Sequence, residues 1–434
     1  MADRPGSSTA LGAPPGQRPV WAEVDLAAVR HNVSLLRRLV APAQLCVVVK
    51  ADGYGHGAVA VAGAAVEAGA AWLAVALVEE GAELRRAGID APVLLLSEPT
   101  EDAMSDAVAR DLTPTVYSRA GVRALAEAAA EAHKVVDAHV KVDTGMHRVG
   151  ADPGDAAEIV GAVVAADHLR FAGLWTHLAV ADGTADEDRA FTATQLARFA
   201  QVRRVLADAG LAAPLHHAAN SAGAICYPDS RLDLVRCGIS VYGLLPALEV
   251  GPALRVALAG VSGTGREGKD AARAGATAGL RPVLSLRARV SMVRALDTGE
   301  RPSYGRRYPL PEPSVVATVP LGYADGMPRR YFEAGGVVLV GGRRRPLAGT
   351  VTMDQILVDC GPDPDVAAGD EVVLIGSQGE EQVSAWDWAR ALDTIAYEVV
   401  CDIGPRVPRV VVDSGHDRLQ GRLAQPTSGG GDLR

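Results

Sequence analysis

Four lysines, Lys50, Lys134, Lys141 and Lys269, stand in this 434-residue sequence against 39 arginines, so chemistry that needs an amine nucleophile has few candidates. Lys50 closes an apolar run, LCVVVK (45–50), and is followed by ADGYGHG. A lysine at the end of such a run is partly desolvated, which lowers its pKa and favours the neutral amine used in Schiff-base chemistry. The same place also suits a lysine whose stem lies on a strand while its head reaches water. Gly53, Gly55 and Gly57 allow a ligand close to the backbone, and Tyr54 and His56 add polar groups. Further along, KVDTGMHRVG holds Lys141, Asp143, His147 and Arg148. Arg148 has the fork geometry that grips a carboxylate, and a surface ion pair is its other use. WTHLAVAD carries His177, HHAANSAG carries Asn220 and Ser221, and LVRCGISVYG carries Arg236, Gly238 and Ile239.

These groups need elements that bring them together. Eight β-branched runs recur between stretches of helical period: 45–50, 72–77, 93–97, 113–117, 139–143, 171–177, 215–219 and 232–239. Helices are expected between them, for example over 119–133 and 186–209. Strands alternating with helices imply a parallel sheet. Eight units in about 220 residues fit an α/β chain whose core is a (β/α)₈ TIM barrel, and an open doubly wound sheet is the alternative that counting leaves. The polar residues gather at the C-terminal ends of the runs, the face where barrels place their chemistry, and loops after strands seven and eight commonly bind phosphate. The texture then changes to short strands with one short helix at 384–392, which predicts a mostly β C-terminal domain. The expected organisation is a tail at 1–18, the barrel at 19–255, an insertion or linker at 256–282 (Gly/Ala-rich at 259–281), the β domain at 283–415 and a tail at 416–434.

The formal charge of −9 argues against a nucleic-acid binder, which needs a basic face. Five scattered cysteines without a CxxC pair argue against a disulfide framework or a structural zinc site, and no metal is expected. No signal-peptide core or apolar run of membrane-spanning length is present, so the expectation is a cytoplasmic protein without membrane partners.

The stretches VVKADGYGHG, KVDTGMHRVG, THLAVAD, HHAANS, VRCGISVYGL, SYGRRY, VPLGYADGMPRR, GTVTMDQILVD and TIAYEVVCDIGPRVPR, in this order over about 19–412, resemble the alanine racemases, fold-type III enzymes that use pyridoxal 5'-phosphate. The resemblance implies that Lys50 carries the cofactor as a Schiff base. It implies that Tyr54, Ser221, Gly238, Ile239 and Tyr397 hold the phosphate and that Arg236 faces the ring nitrogen. A permanent cation there leaves that nitrogen unprotonated and makes the ring a weaker electron sink, which disfavours side reactions such as transamination. Related decarboxylases place an acidic residue at this position.

Racemisation requires proton transfer on both faces of Cα. The resemblance assigns one face to Lys50, acting on D-alanine, and the other to Tyr304 from the second subunit of a homodimer, acting on L-alanine. A phenol, with an ordinary pKa near ~10, needs cations nearby to serve as a base at neutral pH, and the resemblance puts His177 and, through it, Arg236 in that network. Arg148 and the backbone N–H of Met353 from the other subunit would bind the substrate carboxylate. Lys141 matches a lysine that is often carbamylated. Tyr323, Tyr397, Ile395, Asp182 and Arg329 match the access channel. His147 stands where some members have glycine, Thr350 where well-known members have arginine, and Thr352 where cysteine is frequent. The implied function is supply of D-alanine for peptidoglycan. A racemase of broader or serine-type specificity, a decarboxylase and a non-catalytic cofactor-binding protein are the competing readings, and Arg236 speaks against the decarboxylase.

Overall fold

The computed structural model describes residues 18–262, 279–363 and 365–414. Most of the expected 1–18 tail, the 416–434 tail and the 263–278 part of the expected insertion lie outside the described residues.

Strand β1 (Val20–Asp25) leads into a helix over Leu26–Val40, whose start Asp25 caps by accepting the backbone N–H groups of Ala27 and Ala28. Such a cap supplies acceptors to N–H groups that the first turn leaves unpaired. The helix buries Val29, Val33, Leu36 and Val40, one stripe of helical period. Eight strands follow: β2 (Gln44–Val48), β3 (Trp72–Val75), β4 (Val93–Leu95), β5 (Thr115–Val116), β6 (Val136–Lys141), β7 (Leu169–Trp175), β8 (Leu215–His217) and β9 (Leu234–Cys237). Each expected run overlaps one of them, with β2, β6 and β7 beginning one to three residues earlier than expected. They form two parallel sheets, β4-β3-β2-β9 and β5-β6-β7-β8. Thr113 stitches one seam, donating to Val93 and accepting from Leu95. The other seam is closed by the N–H of Arg236 on Ala219 and that of Asp233 on His216. Closure at both seams makes the eight strands a barrel and excludes the open sheet.

The second domain contains β10 (Leu284–Arg289), β11 (Met292–Leu296), β12 (Ser314–Val319), β13 (Val337–Val340), β14 (Arg343–Pro346), β15 (Ile356–Asp359), β16 (Glu371–Gln378), β17 (Glu381–Val383) and β18 (Arg409–Val412). One sheet runs β14-β13-β16-β10-β1-β18, with β17 on β16, and a smaller one runs β11-β12-β15. The expected helix is present at Ala385–Leu392, capped by Ser384.

Three features depart from the sequence expectation. Residues from 19 onward were expected to open the barrel, but β1 pairs antiparallel with β10 and parallel with β18, inside the sheet of the second domain. Its buried Val20, Trp21, Ala22 and Val24 are what a central strand needs in either setting. A second short helix, Ala396–Cys401, was not expected, and it carries Tyr397. The helix Gly251–Ser262 also runs across the expected end of the barrel at 255. Among the described residues, no helix is long and apolar enough to cross a membrane.

Candidate active site

The C-terminal ends of the barrel strands surround a cavity of about 580 Å³. Lys50 enters it directly after β2. The chain then makes a left-handed turn: Ala51, Asp52, Gly53 and Tyr54 all have φ between 51° and 61°. L-residues avoid this conformation at roughly 1–2 kcal/mol each, so surrounding contacts must hold it. Asp52 supplies one by accepting the N–H of Ala58, and Glu80 another by accepting that of Ala51. Gly55 continues the turn at φ +76°, and a Cβ there would lie 2.3 Å from the carbonyl oxygen of Val400. The glycine therefore lets the Ala396–Cys401 helix close on the barrel mouth and bring Tyr397 into the cavity, with its ring 6.1 Å from that of Tyr54.

Ser221 and Gly238 face one another across the loops after β8 and β9, the Ser221 hydroxyl accepting the Gly238 N–H at 3.0 Å. A Cβ on Gly238 would fall 2.3 Å from the Tyr54 hydroxyl. Tyr54, Ser221, Gly238, Ile239 and Tyr397 thus form one polar pocket at one end of the cavity.

Arg236 lies beneath it, buried. Its guanidinium donates to His217 Nδ1 at 2.8 Å and to the carbonyls of Thr176 at 2.8 Å and Ala218 at 3.1 Å, with His177 Nδ1 at 3.4 Å. Burial lowers its pKa to about 10, which leaves it cationic at neutral pH. Burial and then the Arg236 charge push His177 and His217 well below the ordinary histidine range, so both are neutral. Because His217 Nδ1 accepts from Arg236, its Nε2 carries the proton and donates to His139 Nδ1 at 3.0 Å. Trp175 forms the floor: His217 stacks on it at 5.4 Å, and Lys141 Nζ and the Arg236 guanidinium lie 4.4 Å and 4.5 Å from its ring centre.

The cavity is cationic. Burial, then Arg148, lowers the pKa of Lys50. Burial, then Arg236 and Arg148, brings Lys141 down to about 7. Arg148 itself lines the cavity and, among the described residues, pairs with no carboxylate. His147 points to Asp143, its Nδ1 3.1 Å from the carboxylate, and its φ of +53° is a left-handed conformation that glycine adopts without strain. The site therefore offers one pocket for a large anion, an unpaired guanidinium for a carboxylate, and an amine held toward its neutral form.

Ten of the expected site residues meet here: Lys50, Tyr54, Lys141, Arg148, His177, Ser221, Arg236, Gly238, Ile239 and Tyr397. Tyr304 and Met353 do not. They lie on the surface of the second domain, 70% and 52% exposed, as do the access-channel candidates Tyr323, Ile395 and Arg329; Asp182, also exposed, follows β7. Sequence reasoning gave no role to Trp175, His217, His139 or Gln195. Gln195, fully buried on the helix Asp186–Asp208, donates to the His177 carbonyl at 3.0 Å and so fixes that loop.

Comparison with known proteins decides the family. The model of the alanine racemase N-terminal domain matches residues 24–246, and that of the C-terminal domain matches 283–411. The chain belongs to the alanine racemase family. Alanine racemase from Symbiobacterium thermophilum is 42% identical over 394 residues, covering 91% of this chain and 97% of the relative. That of Desulforamulus reducens is 41% identical, covering 91% and 100%. Among solved structures, alanine racemase from the D-cycloserine producer Streptomyces lavendulae superposes with a TM-score of 0.81 at 38% identity, covering 93% of this chain and 99% of that one. The Bacillus anthracis enzyme with bound L-Ala-P gives 0.81 at 33% identity, covering 93% and 97%. The barrel and the β domain are thus the two domains of this isomerase family.

Proposed function

We propose that this chain interconverts L- and D-alanine with pyridoxal 5'-phosphate, as a homodimer whose two copies share each active site, and that the D-alanine serves the bacterial cell wall. The observation that carries this reading is one cavity containing Lys50, Arg236 and an unpaired Arg148, while Tyr304 waits exposed on the second domain. The residues fit the cofactor. The pocket of Tyr54, Ser221, Gly238, Ile239 and Tyr397 suits its phosphate, and the guanidinium of Arg236, which has only donors, suits an unprotonated ring nitrogen. When bound, pyridoxal phosphate supplies the electron sink that acidifies Cα–H.

The protein's own groups do the rest. Arg148 orients the substrate carboxylate, helped by the Met353 N–H of the partner subunit. Lys50 Nζ moves a proton on one face of Cα, and Tyr304 Oη of the partner subunit moves one on the other. His177, neutral and 3.4 Å from Arg236, links that tyrosine to the buried cation. Burial and then Arg148 lower the pKa of Lys50, which favours the neutral amine that serves as nucleophile and as base. The test is deuterium uptake at Cα of each enantiomer in heavy water with the holoprotein. Exchange with inversion from both L- and D-alanine is expected; a bound cofactor with no exchange from either would refute the reading.

Lys141 is proposed to be carbamylated. With its pKa at about 7, much of its amine is neutral at physiological pH, so Nζ can attack CO₂ and lose a proton, leaving an anion among Arg148, Arg236 and Lys50. Native mass spectrometry is expected to show one CO₂ adduct per chain, absent from Lys141→Ala, and carbon-13 bicarbonate to label it. Loading should fall as pH drops through about 7, because protonation removes the nucleophile. Loss of the anion that orients Arg148 should raise KM for alanine roughly tenfold or more, the worth of a charge-assisted hydrogen bond.

A further inference from the structure

The residue proposed as the second base stands on a loop with an unusual backbone. Ser303, just before Tyr304, has φ +69° and ψ 179°, a region that L-residues other than glycine avoid, and Gly305 and Arg306 have φ of +73° and +48°. Tyr304 itself is 70% exposed, so burial of its ring within its own chain does not hold it. What holds its backbone is a pair of hydroxyl groups. Ser303 Oγ donates to the Thr350 carbonyl at 2.6 Å, and Thr350 Oγ1 donates back to the Tyr304 carbonyl at 3.0 Å.

The anchor side of this pair is rigid. Thr350 is 3% exposed, between Ala348 and Val351, which are buried as well. The strand it continues is fixed by the Ala348 N–H on the Leu357 carbonyl. Just beyond it, the carbonyls of Thr352 and Met353 accept the N–H groups of Tyr323 and Ala324. The segment that presents the Met353 N–H is therefore the same one that pins Tyr304.

We infer that Thr350 is a positioning residue for racemisation: with Ser303 it forms a two-hydroxyl latch that sets where Tyr304 stands. Sequence resemblance places Thr350 where other chains carry an access-channel arginine. Here the side chain is buried and turned to the Tyr304 carbonyl, so its effect falls on the geometry of proton transfer and not on charge at the channel. The inference rests on the proposed role of Tyr304 as the base facing L-alanine.

Rates alone do not test it. The two enantiomers of alanine are equal in free energy, so kcat/KM must change by the same factor in both directions. Primary isotope effects are directional, because deuterium at Cα of L-alanine reports the Tyr304 step and that of D-alanine the Lys50 step. The experiment compares holoenzymes of wild type, Thr350→Val, Thr350→Ser and Tyr304→Phe with alanine deuterated at Cα in each configuration. Thr350→Val keeps the shape and removes the donor. It is expected to lower kcat about 10- to 100-fold, the scale of a displacement near 1 Å at a reacting group. Its isotope effect should rise with L-alanine and fall with D-alanine, with KM little changed, and Thr350→Ser should restore the wild-type pattern.

Should Thr350→Val fail to fold, Ser303→Ala removes the other arm of the latch at a half-buried site and is expected to shift both isotope effects in the same sense. Wild-type isotope effects in a folded Thr350→Val or Ser303→Ala enzyme would overturn the latch. If Tyr304→Phe also leaves activity and isotope effects at wild-type values, it is the assignment of Tyr304 that has failed.

Discussion

Lys50→Ala is expected to lose at least about 10⁴-fold in racemisation while remaining folded, because the proposed mechanism gives this one side chain two tasks: holding the cofactor and moving a proton. Its surroundings show why no neighbour replaces it. Arg148 and Arg236, the permanent cations lining the same cavity, have no lone pair to offer, and Lys141, at the end of β6, is held over the Trp175 ring. Tyr304→Phe should lose about 10²–10⁴-fold, the usual worth of one acid–base group. Its stability should hardly change, since the tyrosine is largely exposed. Initial rates in both directions, with circular dichroism to confirm folding, measure both variants. Retention of more than a few per cent of activity by Lys50→Ala would mean that another group does this chemistry.

Arg236→Glu is the second large effect. The guanidinium is a donor to His217, Thr176 and Ala218 at once, and a carboxylate can give none of these bonds. Two buried carbonyls would lose a partner, at about 1–3 kcal/mol each. The chemical consequence is more specific. In the proposed cofactor site an acidic residue would let the ring nitrogen keep a proton, which would strengthen the electron sink. Racemisation should fall about 10²–10³-fold, as for removal of a preorganised electrostatic group, while formation of the keto acid from alanine rises relative to racemisation. Arg236→Lys, which keeps a cation, should lose activity without gaining keto acid. If Arg236→Glu loses racemisation with no such change in product, the cation serves the fold and not the reaction course.

The barrel was legible because most of its strands are buried and read as short, largely apolar runs, each overlapping one observed strand. The same property hid the allegiance of β1: a buried central strand looks alike in a parallel barrel and in a mixed sheet, and only its pairing with β10 and β18 separates the two. The Ala396–Cys401 helix was hidden for another reason. Six residues including Tyr397, Val399 and Val400 have little intrinsic helical preference, and the segment is stabilised by packing on the turn at Gly55. Lys50, Arg148 and Arg236 announced themselves by residue type and by position at the ends of runs. Trp175, His217 and His139 did not, because their work is done across β6, β7, β8 and β9, and closure of the barrel is what brings them together. Thr350 drew notice as a departure from the expected arginine, but its hydrogen bond to a residue 46 positions away is a property of the fold.

The central claim is that each active site is made by two copies of this chain, Lys50 from one and Tyr304 from the other. Mixing the inactive Lys50→Ala and Tyr304→Phe proteins, after subunit exchange has been demonstrated by mass, tests it directly. A mixed dimer contains one site with both residues intact, so an equal mixture should regain about a quarter of wild-type activity. No recovery in a mixture whose subunits have exchanged would contradict the shared site and place both bases within one chain.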